Sequence, residues 1–381
     1  MSAIPSSIDI DPSVESERLT PTEALMRISK RARALDGAPR FPAENLEDLR
    51  AAGLLQLSAD RSKSSLSEEI AQVRAVAGAD ASTARIFDGH LNGVERLALS
   101  APRELREAEL AGVASGELVL GVWGADPAPG EGQPAQVLSN GNGSLVCRGV
   151  KAFCSGAGGV QRALVVVREG SASLPPVPAG ARRLAYIDTG EGVMVDRGWY
   201  RASGLRASES HRVEFTDAPV LALLGGEDEL GRQPFFARDG VRTAATWAGI
   251  ADGILQAART ALAEREPDEH QARALGKMRV AQATIDRWLE HAGRGLEDEN
   301  VEDPAGLATE CRAAITDASR VIAAQAARAC GSRALIAGDA LDRGRRDLDL
   351  FLLQHRLDPQ LAKLGRATLA AQGVAAQGRA S

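Results

Sequence analysis

The sequence lacks the features that define several large classes of protein. It has no excess of positive charge, because the net charge is -6 and the pI is about 5.6, whereas a nucleic-acid-binding domain normally carries a basic surface. Its four cysteines (Cys147, Cys154, Cys311 and Cys330) are too scattered for a zinc site or a disulfide scaffold. We therefore expect no nucleic-acid partner, and reduced thiols in a cytoplasmic protein.

Long apolar runs and nucleotide-binding fingerprints are missing as well. No run approaches the ~20 apolar residues that cross a membrane, and the polar stretch from Met1 to Glu17 lacks the order of a signal peptide. Neither a Gly-x-Gly-x-x-Gly fingerprint nor a Walker loop occurs. These absences argue against a membrane partner and against a Rossmann sheet.

The spacing of apolar residues divides the chain into three parts. Helical spacing through residues 19–115 predicts an N-terminal all-helical domain, and short β-branched runs predict a β domain over residues 116–225. Helical spacing returns over residues 226–372, which predicts a C-terminal bundle. Residues 1–18 and 373–381 are predicted to be flexible tails. The fold class is therefore α+β, with a central antiparallel β barrel or sandwich between two helical domains.

One stretch, from Asn140 to Gly156, combines a turn signal with chemically versatile side chains. Its Asn-Gly-Asn-Gly start predicts a tight hairpin. Alternation along the strand that follows would place Lys151, Phe153 and Ser155 on one face. A planar cofactor could stack on Phe153 while Ser155 hydrogen-bonds its polar edge. An ordinary amphipathic hairpin would show the same pattern.

The order of the three parts, together with six short motifs, resembles the acyl-CoA dehydrogenase superfamily of flavoproteins. The resemblance extends from Phe41 to about Gly365. It rests on Phe41–Gly53, Asp80–Ser82 with His90, Asp126-Pro127, Gly149–Gly156, Gly204–Val220 and Arg345–Asp347. It implies the family fold, a flavin cofactor (FAD, with FMN as the alternative), a small-molecule substrate, and a homodimer or homotetramer formed through the C-terminal bundle.

The resemblance also implies flavin contacts for particular residues. Phe153 would lie against the isoalloxazine ring, and Ser155 would contact its N5 and O4 edge. The backbone of Trp123, Gly124 and Ala125 would line the pyrimidine side. Ala125 stands where the family usually has Thr, so one side-chain hydrogen bond is lost.

The phosphate contacts that the family makes are less complete in this sequence. Arg346, in the cluster of Arg343, Arg345 and Arg346, would bind a phosphate of the cofactor or of a CoA ester. The same cluster could instead pair with neighbouring aspartates on a solvated face. The Arg-x-x-Phe-Gly element that accompanies FAD is not visible near Arg265.

The resemblance leaves the reaction open, because the usual catalytic glutamate is absent. His355 occupies that position, and Val241 occupies the alternative one. His355, His90 and Ser155 instead match a set found in reduced-flavin monooxygenases of the dibenzothiophene type, where hydrogen-bond donors stabilise a hydroperoxyflavin. Without that role, His90 would be a packed helical residue and His355 a surface residue on a variable loop.

Three functions are therefore expected alternatives. The first is an acyl-CoA dehydrogenase-like flavin oxidoreductase acting on an acyl-CoA or related small substrate. The second is a two-component monooxygenase that receives FMNH2 or FADH2 from a partner flavin reductase. The third is a degenerate, non-catalytic member that binds no flavin.

Overall fold

The computed structural model describes residues 18–60, 62–140, 143–170, 181–263, 266–354 and 357–377. In these ranges five helices come first: α1 Pro21–Gly37, α2 Ala43–Ala51, α3 Leu66–Ala79, α4 Ala81–Ser100 and α5 Arg103–Ser115. Seven strands follow: β1 Leu120–Trp123, β2 Gln136–Ser139, β3 Leu145–Cys154, β4 Arg162–Glu169, β5 Arg182–Asp188, β6 Val193–Asp196 and β7 His211–Leu224. The last helices are α6 Phe235–Leu262, α7 Glu269–Gly295, α8 Pro304–Cys330, α9 Ala340–Gln354 and α10 Asp358–Gln377.

This order of helices, strands and helices agrees with the predicted fold class. Of the two predicted tails, residues 1–17 and 378–381 lie outside the described residues. Residues 373–377 belong to α10 rather than to a tail. Gly373 is the one residue among them that often ends a helix, but α10 continues through it to Gln377.

Local capping explains where several helices begin. The Thr20 side chain accepts a hydrogen bond from the Glu23 N–H, and Glu23 bonds back to the Thr20 backbone, the reciprocal pair that a Thr-x-x-Glu spacing favours. Asp80 caps α4 by accepting from the Thr83 N–H at 2.8 Å. Each such cap stabilises its helix by roughly 1 kcal/mol, so these starting points are set by residues adjacent in sequence.

The strands form a closed barrel, and the sheet is mixed rather than purely antiparallel. Strands β4, β2, β3, β7 and β5 form a ring, because β5 pairs with both β7 and β4. The prediction of antiparallel pairing is wrong for two pairs: β1–β4 and β2–β4 are parallel. In these two parallel pairs, β1 and β2 lie one after the other along the same edge of β4. Strand β1 pairs with residues 162–165 of β4, and β2 pairs with residues 168–169.

The helical part joins the barrel through α4, which is buried along most of its length and packs against β1 and α6. Where α3, α4 and α6 meet, Arg242 makes ion pairs with Glu69 and Glu95, each at 2.9 Å. All three side chains are buried. This arginine follows Val241, which is fully buried. The alternative catalytic position therefore belongs to the structural core.

Candidate functional site

Phe153 leaves the regular alternation of β3. It is 53% exposed, whereas Lys151 and Ser155 are buried. The prediction that these three side chains share a face is therefore wrong. The cause is a β-bulge, because the register between β3 and β7 shifts between Lys151 and Cys154. Phe153 has a φ of 52°, a left-handed backbone that is uncommon for a bulky residue and costs about 1–3 kcal/mol.

The exposed ring of Phe153 is paired with a second aromatic side chain. The centroids of the Phe153 and Trp199 rings are 4.9 Å apart, and their planes are nearly perpendicular. Trp199 is held in turn by a hydrogen bond from its indole nitrogen to Glu131 Oε1 at 3.2 Å. The pair forms an accessible aromatic surface, the kind of surface on which a planar ring can stack.

Beneath this surface lies a series of hydroxyl groups, which we call the hydroxyl row: Ser155, Ser210, Ser208 and Tyr200. Ser155 Oγ and Ser210 Oγ are 2.9 Å apart, and Ser210 Oγ and Ser208 Oγ are 2.8 Å apart. Burial raises the pKa of Tyr200, and hydrogen bonds with Ser208 and Ser210 act in the opposite direction. A serine hydroxyl both donates and accepts, so hydrogen bonds can run continuously along the three serines, whereas the Tyr200 hydroxyl donates to the Gly204 carbonyl oxygen at 3.2 Å.

Backbone strain is concentrated around the hydroxyl row. Of the five non-glycine residues with positive φ in the described part of the chain, three border it: Phe153, Leu205 and Glu209. The two strained segments are joined, because the Gly156 N–H donates to the Ser208 carbonyl oxygen at 2.8 Å. Such conformations persist only where the surrounding structure imposes them, and they cluster at functional sites.

The end of β1 lies directly beside this strand, as the resemblance implied. The Trp123 indole is buried and donates to the Ser155 carbonyl oxygen at 3.1 Å. Gly124 and Ala125 are exposed, and the Ala125 carbonyl oxygen accepts from the Ala152 N–H at 3.0 Å. The structure thus brings together Trp123, Gly124, Ala125, Phe153 and Ser155.

Lys151 supports the same segment from below instead of facing a cofactor. Its Nζ donates to Asp126 Oδ1 at 2.6 Å and to the Gly124 carbonyl oxygen at 3.3 Å. Burial lowers the pKa of Lys151, and the Asp126 carboxylate opposes that effect. Lys151 therefore fixes the exposed backbone of residues 124–126 relative to Phe153.

His90 is a structural residue, so the catalytic role predicted for it does not follow from the geometry. The imidazole is fully buried. The Leu120 N–H donates to Nδ1 at 3.0 Å, so Nε2 carries the proton and donates to the Leu55 carbonyl oxygen at 2.7 Å. Burial lowers the pKa of His90 to about 4. Both ring nitrogens are used by backbone groups, and neither is left for a cofactor or substrate.

Arg346 is likewise engaged in holding the fold together. Its guanidinium binds both carboxylate oxygens of Asp36 at 3.1 and 2.7 Å, the Ser203 carbonyl oxygen at 2.6 Å, and Asp342 at 3.0 Å. Hydrogen bonding to Asp36 raises the pKa of Arg346. The predicted phosphate contact is therefore replaced by a link between α1, α9 and the loop that leads into the hydroxyl row.

The neighbouring Asp347 acts on the same loop. Its Oδ1 accepts from the Leu205 N–H at 2.6 Å. Gly204 approaches the backbone of Arg346 so closely that a Cβ would clash with it. Because Leu205 precedes the strained turn that carries Ser208, the Arg-Asp motif positions the hydroxyl row rather than contacting a ligand.

The third predicted catalytic residue, His355, lies outside the described residues. Of the two members of that set that the structure describes, Ser155 is at the candidate site and His90 is not. The sequence analysis did not identify four further residues of the site: Ser210, which bonds Ser155; Ser208, which bonds Ser210; Trp199, which pairs with Phe153; and Tyr200. The available signal was a loop between two strands, residues 199–210, that is unusually rich in aromatic and hydroxyl side chains.

His211, which follows this loop, was also missed. It is 4% exposed, and its Nε2 lies 3.4 Å from Glu209 Oε2. Within the described residues, neither of its ring nitrogens makes a hydrogen bond. The rings of His211 and Tyr200 are in edge-to-face contact at 6.2 Å. A buried imidazole with free hydrogen-bonding capacity therefore adjoins the hydroxyl row.

Two other kinds of feature do not occur in the described ranges. No group of three or more His, Cys, Asp or Glu side chains there is arranged to hold a metal ion. No helix in those ranges is both long enough and apolar enough to cross a membrane.

Several solved structures match this fold, and two of the matching proteins, TdsC and KijD3, were solved with FMN. Dibenzothiophene monooxygenase (TdsC) from Paenibacillus sp. A11-2 matches with a TM-score of 0.80 and 20% identity, covering 92% of this chain and 96% of that one. Methanesulfinate monooxygenase MsuC from Pseudomonas fluorescens matches with a TM-score of 0.79 and 22% identity, over the same shares. KijD3, solved with FMN and a dTDP-linked amino sugar, matches with a TM-score of 0.79 and 19% identity over 94% and 95%.

These matches show that this chain shares the fold of those structures, which agrees with the order of helices, strands and helices that the sequence predicted. At 19–22% sequence identity, these matches support a shared fold but do not establish a shared reaction. No protein-family model and no curated protein sequence matches this chain.

Proposed function

We propose that the protein is a two-component flavin-dependent monooxygenase, which uses reduced FMN delivered by a partner reductase to oxygenate a small organic substrate. The observation that carries the proposal is the strained, half-exposed Phe153, with Trp199 against it and the buried hydroxyl row beneath it. This arrangement offers a stacking surface and hydroxyl donors side by side. It is the geometry that a flavin ring with a reactive polar edge requires.

The residues present fit a flavin. Phe153 and Trp199 would hold the face of the ring, Ser155 would hydrogen-bond its polar edge, and the exposed backbone of Gly124 and Ala125 would follow the other edge. When bound, a reduced flavin supplies the electrons that activate molecular oxygen. The hydroxyl row keeps bulk water away, because its serines are at most 7% exposed, and it can hold or move a proton at Ser155 Oγ.

Two observations favour oxygenation over dehydrogenation of an acyl-CoA. The sequence positions that carry the dehydrogenase base hold His355 and the fully buried Val241, and neither is a carboxylate. The similar solved structures bear the names of monooxygenases and of a nitrososynthase. FMN is favoured over FAD because TdsC and KijD3 were each solved with FMN, and because the Arg-x-x-Phe-Gly element is not visible in this sequence.

The proposal is tested by anaerobic titration of the purified protein with reduced FMN, followed by mixing with oxygen. We expect saturable binding and a transient oxygen adduct in the absorption spectrum. Phe153→Ala should weaken binding of reduced FMN by about tenfold, because one stacked aromatic contact is worth about 0.5–1.5 kcal/mol beyond the area that it buries. Phe236→Ala is the matched control, since Phe236 is 45% exposed at the start of α6.

Other outcomes would replace this proposal. Tightly held oxidised FAD that is bleached by an acyl-CoA would establish a dehydrogenase instead. Binding of neither flavin would favour the degenerate, non-catalytic alternative. Equal losses of affinity for reduced FMN in the Phe153 and Phe236 variants would show that the aromatic pair is not part of the flavin site.

A further inference from the structure

Among the residues that the structure describes, Arg312 on α8 is a buried cation in the C-terminal bundle that forms no ion pair with a carboxylate. It is 7% exposed. Its side chain crosses Gly240 of α6, where an added Cβ would come within 3.3 Å of Arg312 Cδ, and its guanidinium lies 5.6 Å from the centre of the Trp247 ring. Within the described ranges, its Nε and Nη2 are buried and have no hydrogen-bond acceptor.

The surroundings of Arg312 differ from those of the buried arginine in the core. Arg242 is enclosed by acidic groups, including Glu69 and Glu95, which raise its pKa against the effect of burial. For Arg312, burial dominates and lowers the pKa to about 10. A buried charge without a counter-charge is destabilising. The contact with Trp247 compensates for only part of that cost.

Polar groups beside Arg312 lack partners as well. Thr316 and Ser319 follow it on the same helix at intervals of four and three residues, so the three side chains share one face of α8. Both residues are buried, and neither hydroxyl has a hydrogen-bond partner among the residues that the structure describes. The face therefore has hydrogen-bonding capacity that α6 does not satisfy.

Arg312 borders a cavity of about 190 Å³ between the starts of α6 and α8 and the side of α10. Lys363 and Gln360 line it from α10, and Phe236 contributes an apolar wall. Asp303 also borders the cavity, but its Oδ1 accepts from the Gly306 N–H at 2.8 Å as the cap of α8. The volume equals about six water molecules at ~30 Å³ each.

We propose that this cavity is a binding site for a small oxyanion, held by the guanidinium of Arg312 with Lys363 on the facing wall. A guanidinium binds carboxylate, phosphate and sulfate groups through two parallel hydrogen bonds. The volume limits the ligand to inorganic phosphate, sulfate or a short-chain carboxylate. The site shares no residue with the hydroxyl row, and it requires neither flavin nor reductase.

The test is calorimetric titration of the full chain with phosphate and, separately, with acetate, each against sodium chloride at equal ionic strength. We expect saturable binding of at least one oxyanion. Arg312→Met should abolish it, and Arg312→Lys should weaken it by about tenfold, because the paired hydrogen bonds of the guanidinium are lost. Arg320→Met is the control, since Arg320 is on the same helix, is 59% exposed in its side chain and pairs with Asp317.

Lys363→Met provides a second variant on an exposed helix, in case removal of Arg312 prevents folding. It should weaken oxyanion binding by several-fold while leaving the circular dichroism spectrum unchanged. Absence of saturable binding to the wild-type protein would overturn the proposal. So would binding that survives in folded Arg312→Met, or a loss in Arg320→Met as large as that in Arg312→Met, which would indicate general charge screening.

Discussion

Ser210 is the middle member of the hydroxyl row, and its side chain connects Ser155 to Ser208. Its Oγ is within 2.9 Å of both neighbours. Removing it would leave Ser155 in place but break the hydrogen-bonded path from Ser155 to Ser208. A substitution at Ser210 can therefore test the role of the hydroxyl row in proton movement separately from its role in flavin binding.

We predict that Ser210→Ala leaves the affinity for reduced FMN unchanged and lowers the yield of oxygenated product per flavin oxidised by about tenfold or more, because positioned proton transfer contributes roughly 10²–10⁴-fold to rates. The measurement is product formed against hydrogen peroxide released. Ser203→Ala is the control, because Ser203 is exposed in the same loop. An unchanged product yield would exclude the hydroxyl row from the chemistry.

Predictions from the sequence held where the determining contacts are local. The cap at Thr20 could be read from three following residues. The flavin contacts that the resemblance implied for Trp123 to Ala125 and Phe153 remain predictions, although the structure does bring these residues together. The orientations of Lys151 and Ser155 could not be read, because the bulge in β3 depends on how β7 pairs with it. The role of His90 is set by carbonyl and amide groups at Leu55 and Leu120, which are 35 and 30 residues away.

Helix α9 determines where the loop of residues 203–210 lies. Arg346 and Asp347 hold this loop through Ser203 and Leu205, and Arg346 also ties α9 to Asp36 at the end of α1. The sequence motif Arg-Asp was recognisable, but its partners lie far away in the chain. A phosphate contact was therefore predicted where the structure shows a link between elements.

We predict that Asp36→Asn lowers the free energy of unfolding by about 1–3 kcal/mol, because a bidentate, charge-assisted pair that is largely buried is lost. It should also weaken binding of reduced FMN, since the loop that carries Ser208 and Ser210 is freed. Chemical denaturation and flavin titration measure the two effects. Asp317→Asn is the control, because Asp317 makes an exposed pair with Arg320. A stability loss with intact flavin affinity would show that the loop keeps its place without this link.

The stability of the complete chain should depend on pH through Asp347. Burial raises the pKa of its carboxyl to about 7 from 3.8, and Asp80 and Asp36 act in the same direction while Arg343 opposes them. Since the folded-state pKa is the higher one, the stabilisation is fully present below pH 3.8 and is lost as the pH rises through about 7. Over that interval the unfolded carboxyl is ionised while the folded one still holds its proton.

We predict that, between pH 5 and pH 7, the wild type loses stability relative to Asp347→Asn by up to about 1.4 kcal/mol per pH unit, with no further change above about pH 8. The asparagine oxygen can still accept from the Leu205 N–H, so the variant keeps the hydrogen bond and lacks only the titration. Urea denaturation across this pH range measures the difference. A difference that is constant from pH 5 to pH 8 would contradict the raised pKa.

Assembly and location remain predictions for this chain. A homodimer or homotetramer through the C-terminal bundle, and a cytoplasmic location, were implied by the resemblance and by the scattered cysteines. Sedimentation of the purified protein tests the first. The domain bounds at residues 115 and 225 also remain predictions, although the change from helices to strands and back occurs close to both.

The link between Asp36 and Arg346 joins residues that are 310 positions apart. During synthesis on the ribosome, α1 and the whole barrel emerge long before α9 does. At about 5–20 residues per second, Arg346 follows Asp36 by roughly 15–60 seconds. From its own synthesis until Arg346 is made, the loop of residues 203–210 lacks the contacts with α9 that shape it. A nascent chain can therefore complete its barrel early, yet it acquires the arrangement around Ser155 only after α9 has been made.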